Sequence, residues 1–191
     1  HMEAVGYDMY LRLLGEAIAE QKGEAPERTS AECMVDLNIG AHIPESYIKG
    51  LSQRIDVYKK IAAIQNKDDA FDVTDELIDR FGDPPRTVNN LISVALLRGR
   101  AADCAISDIS QKGMSILFTL DEFDLEHISQ AAGLFPGRVL FSPGDKAVLT
   151  LKLKKGEDPL RMASKLVESY QALIPPEAAK SPGPEGGGGK D

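Results

Sequence analysis

The chain has 191 residues, 42% hydrophobic and 27% charged, and its 30 acidic side chains against 22 basic ones leave a net charge of −8. These are the proportions of one globular domain of ordinary size with an appendage, and the negative balance argues against direct nucleic-acid binding, which wants clustered Lys and Arg. No signal-peptide pattern and no run of about 18 apolar residues is read, and Cys33 and Cys104 lack a nearby partner motif, so a reduced, cytoplasmic protein with no membrane contact is expected.

His1-Met2 reads as a cloning remnant, followed over residues 3–22 by a helix with Val5, Met9, Leu13 and Ile18 on one stripe and Gly23 as its stop. No helix stands beside it in sequence to take that stripe. Residues 1–25 are therefore expected to be a remnant plus the end of a preceding module, and the chain a piece of something larger. Residues 24–31 are polar and contain Pro26, the composition of a linker. Cys33, Val35, Leu37 and Ile39 alternate with polar residues as in a short half-buried strand. Residues 40–44 turn the chain and 45–48 make a brief helical turn. Over residues 51–65 a helix is expected, with Leu51, Ile55, Tyr58 and Ala62 on one ridge and Val57, Ile61 and Ile64 beside it.

The stretch from Lys67 is the most informative. Phe71, Leu77, Ile78 and Phe81 recur three and four apart and predict an inward apolar face. Seven carboxylates between Asp68 and Asp83 face one base, Arg80. Gly82 supplies the helix stop. Asp83 is expected to cap the next helix, with Pro84 at its first position, and that helix turns Val88, Leu91, Ile92, Ala95 and Leu96 inward.

Near Ile106 the period becomes alternating. Met114, Ile116, Phe118 and Leu120 face one way after a hairpin loop at residues 111–113. Asp124 caps a helix reaching about Leu134, and Pro136-Gly137 ends it. Strands at 139–141 and 147–153 flank the turn Ser142-Pro143-Gly144-Asp145. Asp158-Pro159 opens a last helix with Leu160, Ala163, Leu166, Val167 and Tyr170 inward, stopped by Pro175-Pro176. The expected fold is α+β: a helical N-terminal half, then a small antiparallel sheet flanked by helices. One domain should occupy residues 26–175, and the Pro/Gly-rich residues 176–191 read as a disordered tail.

Most chemistry-bearing patterns here are shallow. Leu117 to Glu122 imitates the strand and Asp-Glu pair that holds magnesium in nucleotide motors. No G-x-x-x-x-G-K-[ST] loop precedes it to cradle a phosphate, so it reads as a strand end and helix start. His42, His127, Cys33 and Cys104 lack zinc-ligand spacing, and no G-x-S-x-G or carboxylate pair is recognisable. Lys152, Lys154, Lys155, Arg161 and Lys165 read as a solvated strand end and helix face. No catalytic, cofactor-binding or metal-binding residue is assigned.

Four segments in order carry a family resemblance: VGYDMYLRLL at 5–14, DLNIGAHIPESYI at 36–48, RIDVYKKIA at 54–62 and ELIDRFGDPP at 76–85. Together they resemble the C-terminal domain of bacterial transcription-repair coupling factors. The resemblance implies a non-catalytic regulatory domain of an ATP-driven DNA translocase that removes stalled RNA polymerase, with ATP and magnesium belonging to the parent motor. It further implies docking on the parent's own N-terminal repair-protein-like module, over the surface that recruits the damage-recognition ATPase of excision repair. A basic recruiting surface wants an acidic cover. The residues expected to meet it are Asp72, Asp75, Glu76, Asp79 and Arg80, with Glu76 and Asp79 projecting together from one helical turn. The alternative is an interaction module for RNA polymerase or an excision-repair protein in trans.

Overall fold

The computed structural model describes residues 33–174. The expected helix over 3–22, the linker over 24–31, the Pro175-Pro176 stop and the tail from 176 lie outside that span. Strand β1 (Met34–Asp36) is followed by helices α1 (Leu51–Ala62), α2 (Lys67–Phe81) and α3 (Arg86–Asp103). Then come β2 (Ile106–Lys112), β3 (Ser115–Leu120), α4 (Leu125–Gly133), β4 (Val139–Ser142), β5 (Ala147–Lys152) and α5 (Pro159–Leu173). The α+β expectation is met.

The sheet runs β1-β2-β3-β5-β4 and is mixed. The four later strands pair antiparallel as expected, whereas β1 joins β2 in parallel, with Val35 opposite Ile109. The strand ahead of the helical half is thus an edge of the same sheet, reached by a crossover through three helices. The β2–β3 hairpin is tighter than expected. Lys112 pairs with Ser115, so Gln111 and Lys112 belong to the strand and the loop is Gly113-Met114, with Gly113 at φ 58°. Met114 is consequently exposed, while Ile116, Phe118 and Leu120 are buried.

Two apolar clusters hold the molecule. The larger lies between the sheet and α3, α4 and α5, with Phe118, Ile116, Leu151 and Val167 fully buried. The smaller joins Ala41, Ile43 and Ile48 to α1, α2 and the first half of α3, around Ile61, Val88 and Leu77. Helix α3 belongs to both, since Val88, Leu91, Ile92 and Ala95 enter the helical cluster while Leu97 and Ala101 enter the sheet cluster. Arg86 faces Asp158 at 3.7 Å, Arg100 pairs with Glu168, and Gln171 donates to Asp103 at 3.3 Å. These ties advance in the same direction on both helices, so α3 and α5 lie side by side and parallel.

The caps follow local chemistry. Asp124 accepts from the Glu126 and His127 N–H groups, and Asp158 from those of Leu160 and Arg161, with Pro159 inside the first turn. The start of α3 differs from expectation. Pro85, not Asp83, holds the N-cap position, no side chain caps it, and the helix begins at Arg86. Two consecutive prolines favour extended backbone before them and delay the first helical turn. Leu51 is also displaced from its expected ridge. At the first position of α1 it points outward and is 64% exposed, while Val57, Tyr58 and Ile61 carry the buried face.

Candidate functional site

Helix α2 presents the candidate face, and its neighbours fix its orientation. Asn66 caps its start by accepting from the Asp69 N–H at 2.9 Å. At its end Gly82 sits at φ 83°, ψ −173°, a region essentially reserved to glycine. The Tyr47 hydroxyl donates to the Gly82 carbonyl at 2.8 Å, and its ring meets Phe81 edge-on at 6.0 Å. Burial, then the Asp83 carboxylate, raise the Tyr47 hydroxyl above its ordinary pKa. The lead-in segment holding Tyr47 is itself anchored: Ile43 N–H donates to the buried Tyr58 hydroxyl at 2.8 Å, His42 N–H to the Thr87 carbonyl, and Asn90 to the Gly40 carbonyl. The motif residues of 36–48 are thus the frame that sets the pose of α2.

Of the four residues expected inward on α2, Leu77 and Phe81 are so and Phe71 and Ile78 are not. Leu77 is buried, and Ala70, Val73 and Phe81 pack half-buried against the helical core. Phe71 is 70% exposed and Ile78 45% exposed. They lie seven residues apart on a neighbouring stripe turned to solvent, because the small Ala70 and Val73 take the core side.

Outside this pair runs the acidic row. Asp72, Asp75 and Asp79 are exposed and make no ion pair among the described residues, and with Glu76 and Ile78 they line a shallow surface depression. Glu76 differs from them. It takes the Lys60 ammonium from α1 and the Arg80 guanidinium at 2.9 Å, and those two hydrogen bonds, Lys60 first, hold its carboxyl below the usual range. Arg80 also lies 4.9 Å over the Phe81 ring. Around the helix the exposed surface therefore passes from an apolar pair, through three carboxylates free of cations, to a Glu76–Lys60–Arg80 cluster. Sequence reasoning placed all five named residues on one face. It missed Lys60, sixteen residues away, because only tertiary packing brings it there.

Elsewhere the shallow motifs are structural. Asp121 accepts from the Ser107 hydroxyl at 3.0 Å, and its own N–H donates to the Ala105 carbonyl. Both cysteines are buried, and burial followed by the Asp103 carboxylate pushes the Cys104 thiol up to about 12. The Lys165 ammonium rests 5.2 Å from the Phe135 ring centre, and Lys152, Lys154, Lys155 and Arg161 are exposed. Among the described residues no three His, Cys, Asp or Glu side chains converge as metal ligands, and no helix is long and apolar enough to cross a membrane.

Relatives sharpen what this geometry contains. A family model, the TRCF domain, matches residues 37–130. Those residues belong to the TRCF domain family. The transcription-repair-coupling factor of Bacillus subtilis (strain 168) is 32% identical over 145 residues, 76% of this chain and 12% of its own length. That of Staphylococcus haemolyticus (strain JCSC1435) is 31% identical over 173 residues, 90% of this chain and 14% of its own. A crystal structure of a C-terminal domain of transcription-repair coupling factor shares the fold, with a TM-score of 0.69 at 23% identity over 76% of this chain and 95% of that one. The family resemblance read from the four segments is borne out, and the chain spans only 12–14% of the length of these two relatives. The α2 face lies wholly within the matched TRCF domain.

Proposed function

We propose that this TRCF domain is a non-catalytic regulatory module that docks through α2 on the N-terminal repair-protein-like module of its own parent. In the docked state it covers the surface that recruits the damage-recognition ATPase of excision repair. The parent removes stalled RNA polymerase by ATP-driven translocation on DNA, and its motor, not this domain, holds ATP and magnesium. The observation that carries the reading is the row Asp72, Asp75 and Asp79, which faces solvent and, among the described residues, has no ion-pair partner for any of the three. Carboxylates held in a fixed row on a packed helix suit electrostatic capture of a basic surface. Glu76 and Arg80 extend that row, already ordered by their mutual bond and by Lys60.

The test is calorimetric binding of the chain to the separately prepared N-terminal module, beside the double variant Asp75→Lys/Asp79→Lys. These two positions are chosen because reversing Glu76 would also repel Lys60 and Arg80 within the domain. The double variant should melt like wild type, since exposed substitutions usually shift stability within about 0.5 kcal/mol. Its binding should weaken by about 2 kcal/mol or more if the carboxylates are desolvated on docking. Wild-type binding should also weaken as salt rises, because the Debye length falls from about 10 Å at 0.1 M to about 3 Å at 1 M. Equal binding by the well-folded double variant would remove α2 from the interface.

A further inference from the structure

Phe71 and Ile78 are a problem for a purely electrostatic face. Each is a large apolar side chain held in water on a helix whose core side is filled by Ala70, Val73, Leu77 and Phe81. Single exposed apolar residues need no explanation. Here, however, two share one stripe one heptad apart, with Asp75 between them and Asp72 and Asp79 alongside. Lys60 and Arg80 sit on the far side of this helix, where both engage Glu76, while Lys67, exposed at its first position, stands one turn before Phe71.

We infer that the outward stripe of α2 is a two-part docking face, Phe71 and Ile78 serving as apolar anchors and Asp72, Asp75 and Asp79 as their charged border, for a protein surface that combines an apolar socket with a Lys/Arg rim. The inference rests on the docking reading above and adds the chemistry of the partner. Charge complementarity selects that occupant. An apolar partner would bury three carboxylates without donors, and desolvating an unmatched charge is costly. A basic partner without a socket would leave both anchors in water and gain nothing from them. Nucleic acid and anionic lipid surfaces carry the same sign of charge as the border and are repelled. A socket with a basic rim satisfies both parts, and its division of labour is readable: charge contributes a salt-sensitive component, and the anchors a salt-insensitive one.

The experiment has two arms on the full chain, each read by calorimetry. In the first, two helical peptides of equal lysine content are compared, one with leucines along a single stripe and one with serines in their place. The leucine peptide should bind at least tenfold tighter. That advantage should vanish in Phe71→Ser/Ile78→Ser and persist in Phe71→Leu. Equal affinity for the two peptides, or an advantage that survives the serine double variant, overturns the inference. In the second arm the N-terminal module is the probe. The serine double variant should lose at least tenfold in affinity, by a factor that stays constant as salt rises, with its melting temperature unchanged. Module binding that ignores these substitutions overturns the inference and leaves the docking reading standing. No module binding by wild type, with the leucine advantage intact, overturns the docking reading and supports the inference.

Discussion

Gly99 stands inside α3, where a helix interior would ordinarily gain from alanine by about 0.5–1 kcal/mol. A Cβ at this position would lie 2.6 Å from the Gln65 carbonyl oxygen and 3.1 Å from the Gln65 Cα. Those atoms are backbone, fixed between the end of α1 and the Asn66 cap of α2, so they cannot swing aside as a side chain would. Overpacking of that kind costs about 1–3 kcal/mol, which exceeds the propensity gain. Gly99→Ala should therefore lower the melting temperature, and a rise would show that the junction between α1 and α2 yields freely. Cys104 supplies a second residue-level test, through pH. Its thiol titrates near 8.5 in an unfolded chain but is pushed up to about 12 here by burial, then by Asp103. A group whose folded pKa is raised contributes stability that is complete below its unfolded value and is lost as pH climbs towards the folded one. Between pH 8 and pH 10 that loss comes to about 2 kcal/mol. Cys104→Ala should start less stable, since it leaves a small cavity, yet decline less steeply with pH when denaturation midpoints are compared. Parallel slopes would show that the thiol does not titrate against folding.

At the scale of elements, legibility tracked the clarity of the pattern. In α5 the five expected inward residues, Leu160, Ala163, Leu166, Val167 and Tyr170, are the buried ones, because a single apolar stripe faces a sheet and nothing competes with it. In α2 two stripes compete. Phe71 and Ile78 are larger than Ala70 and Val73 and so dominate a reading by spacing, yet the side that meets α1 and α3 has room for the small pair. Periodicity gives the existence of a face, and packing decides which of two adjacent stripes it is. The acidic residues of the candidate site were legible because charge on a helix has one destination, solvent. The cation that holds Glu76 was not, because Lys60 arrives from α1. Tyr47 is the element-level hinge of this arrangement, since it ties the segment before α1 to the end of α2 through Gly82. Tyr47→Phe keeps the edge-on contact with Phe81 and removes the hydroxyl that donates to the Gly82 carbonyl at 2.8 Å and, more weakly, to the Leu77 carbonyl at 3.4 Å, at a cost of about 1 kcal/mol. Amide hydrogen exchange should accelerate at Gly82, whose N–H donates to the Ile78 carbonyl, more than at Ile109 in the sheet. Uniform acceleration at both would mean that Tyr47 serves global stability and not the local pose of α2.

For the whole molecule the consequential fact is that one helix serves two cores. The proposed docking face rides on α2, whose core side belongs to the helical cluster, while the larger cluster lies under the sheet and is closed by α5. Because α3 contributes to both, damage at the sheet should propagate to the face through α3. Ending the chain before Asp158 makes that test. It removes Leu160, Leu166, Val167 and Tyr170, each buried and each worth roughly 1.5–3 kcal/mol when taken out of water. It also cuts the ties of α3 to Asp158, Glu168 and Gln171. Set against a total of about 5–15 kcal/mol for a typical domain, that loss exceeds what the sheet cluster can spare. The shortened chain should show no cooperative melting by circular dichroism, and it should fail to bind the N-terminal module although every residue of α2 is present. A sharp transition near the wild-type temperature would place α5 outside the cooperative unit. Melting lost with docking kept would show instead that α1, α2 and the first half of α3 stand without the sheet, and that the two cores are independent.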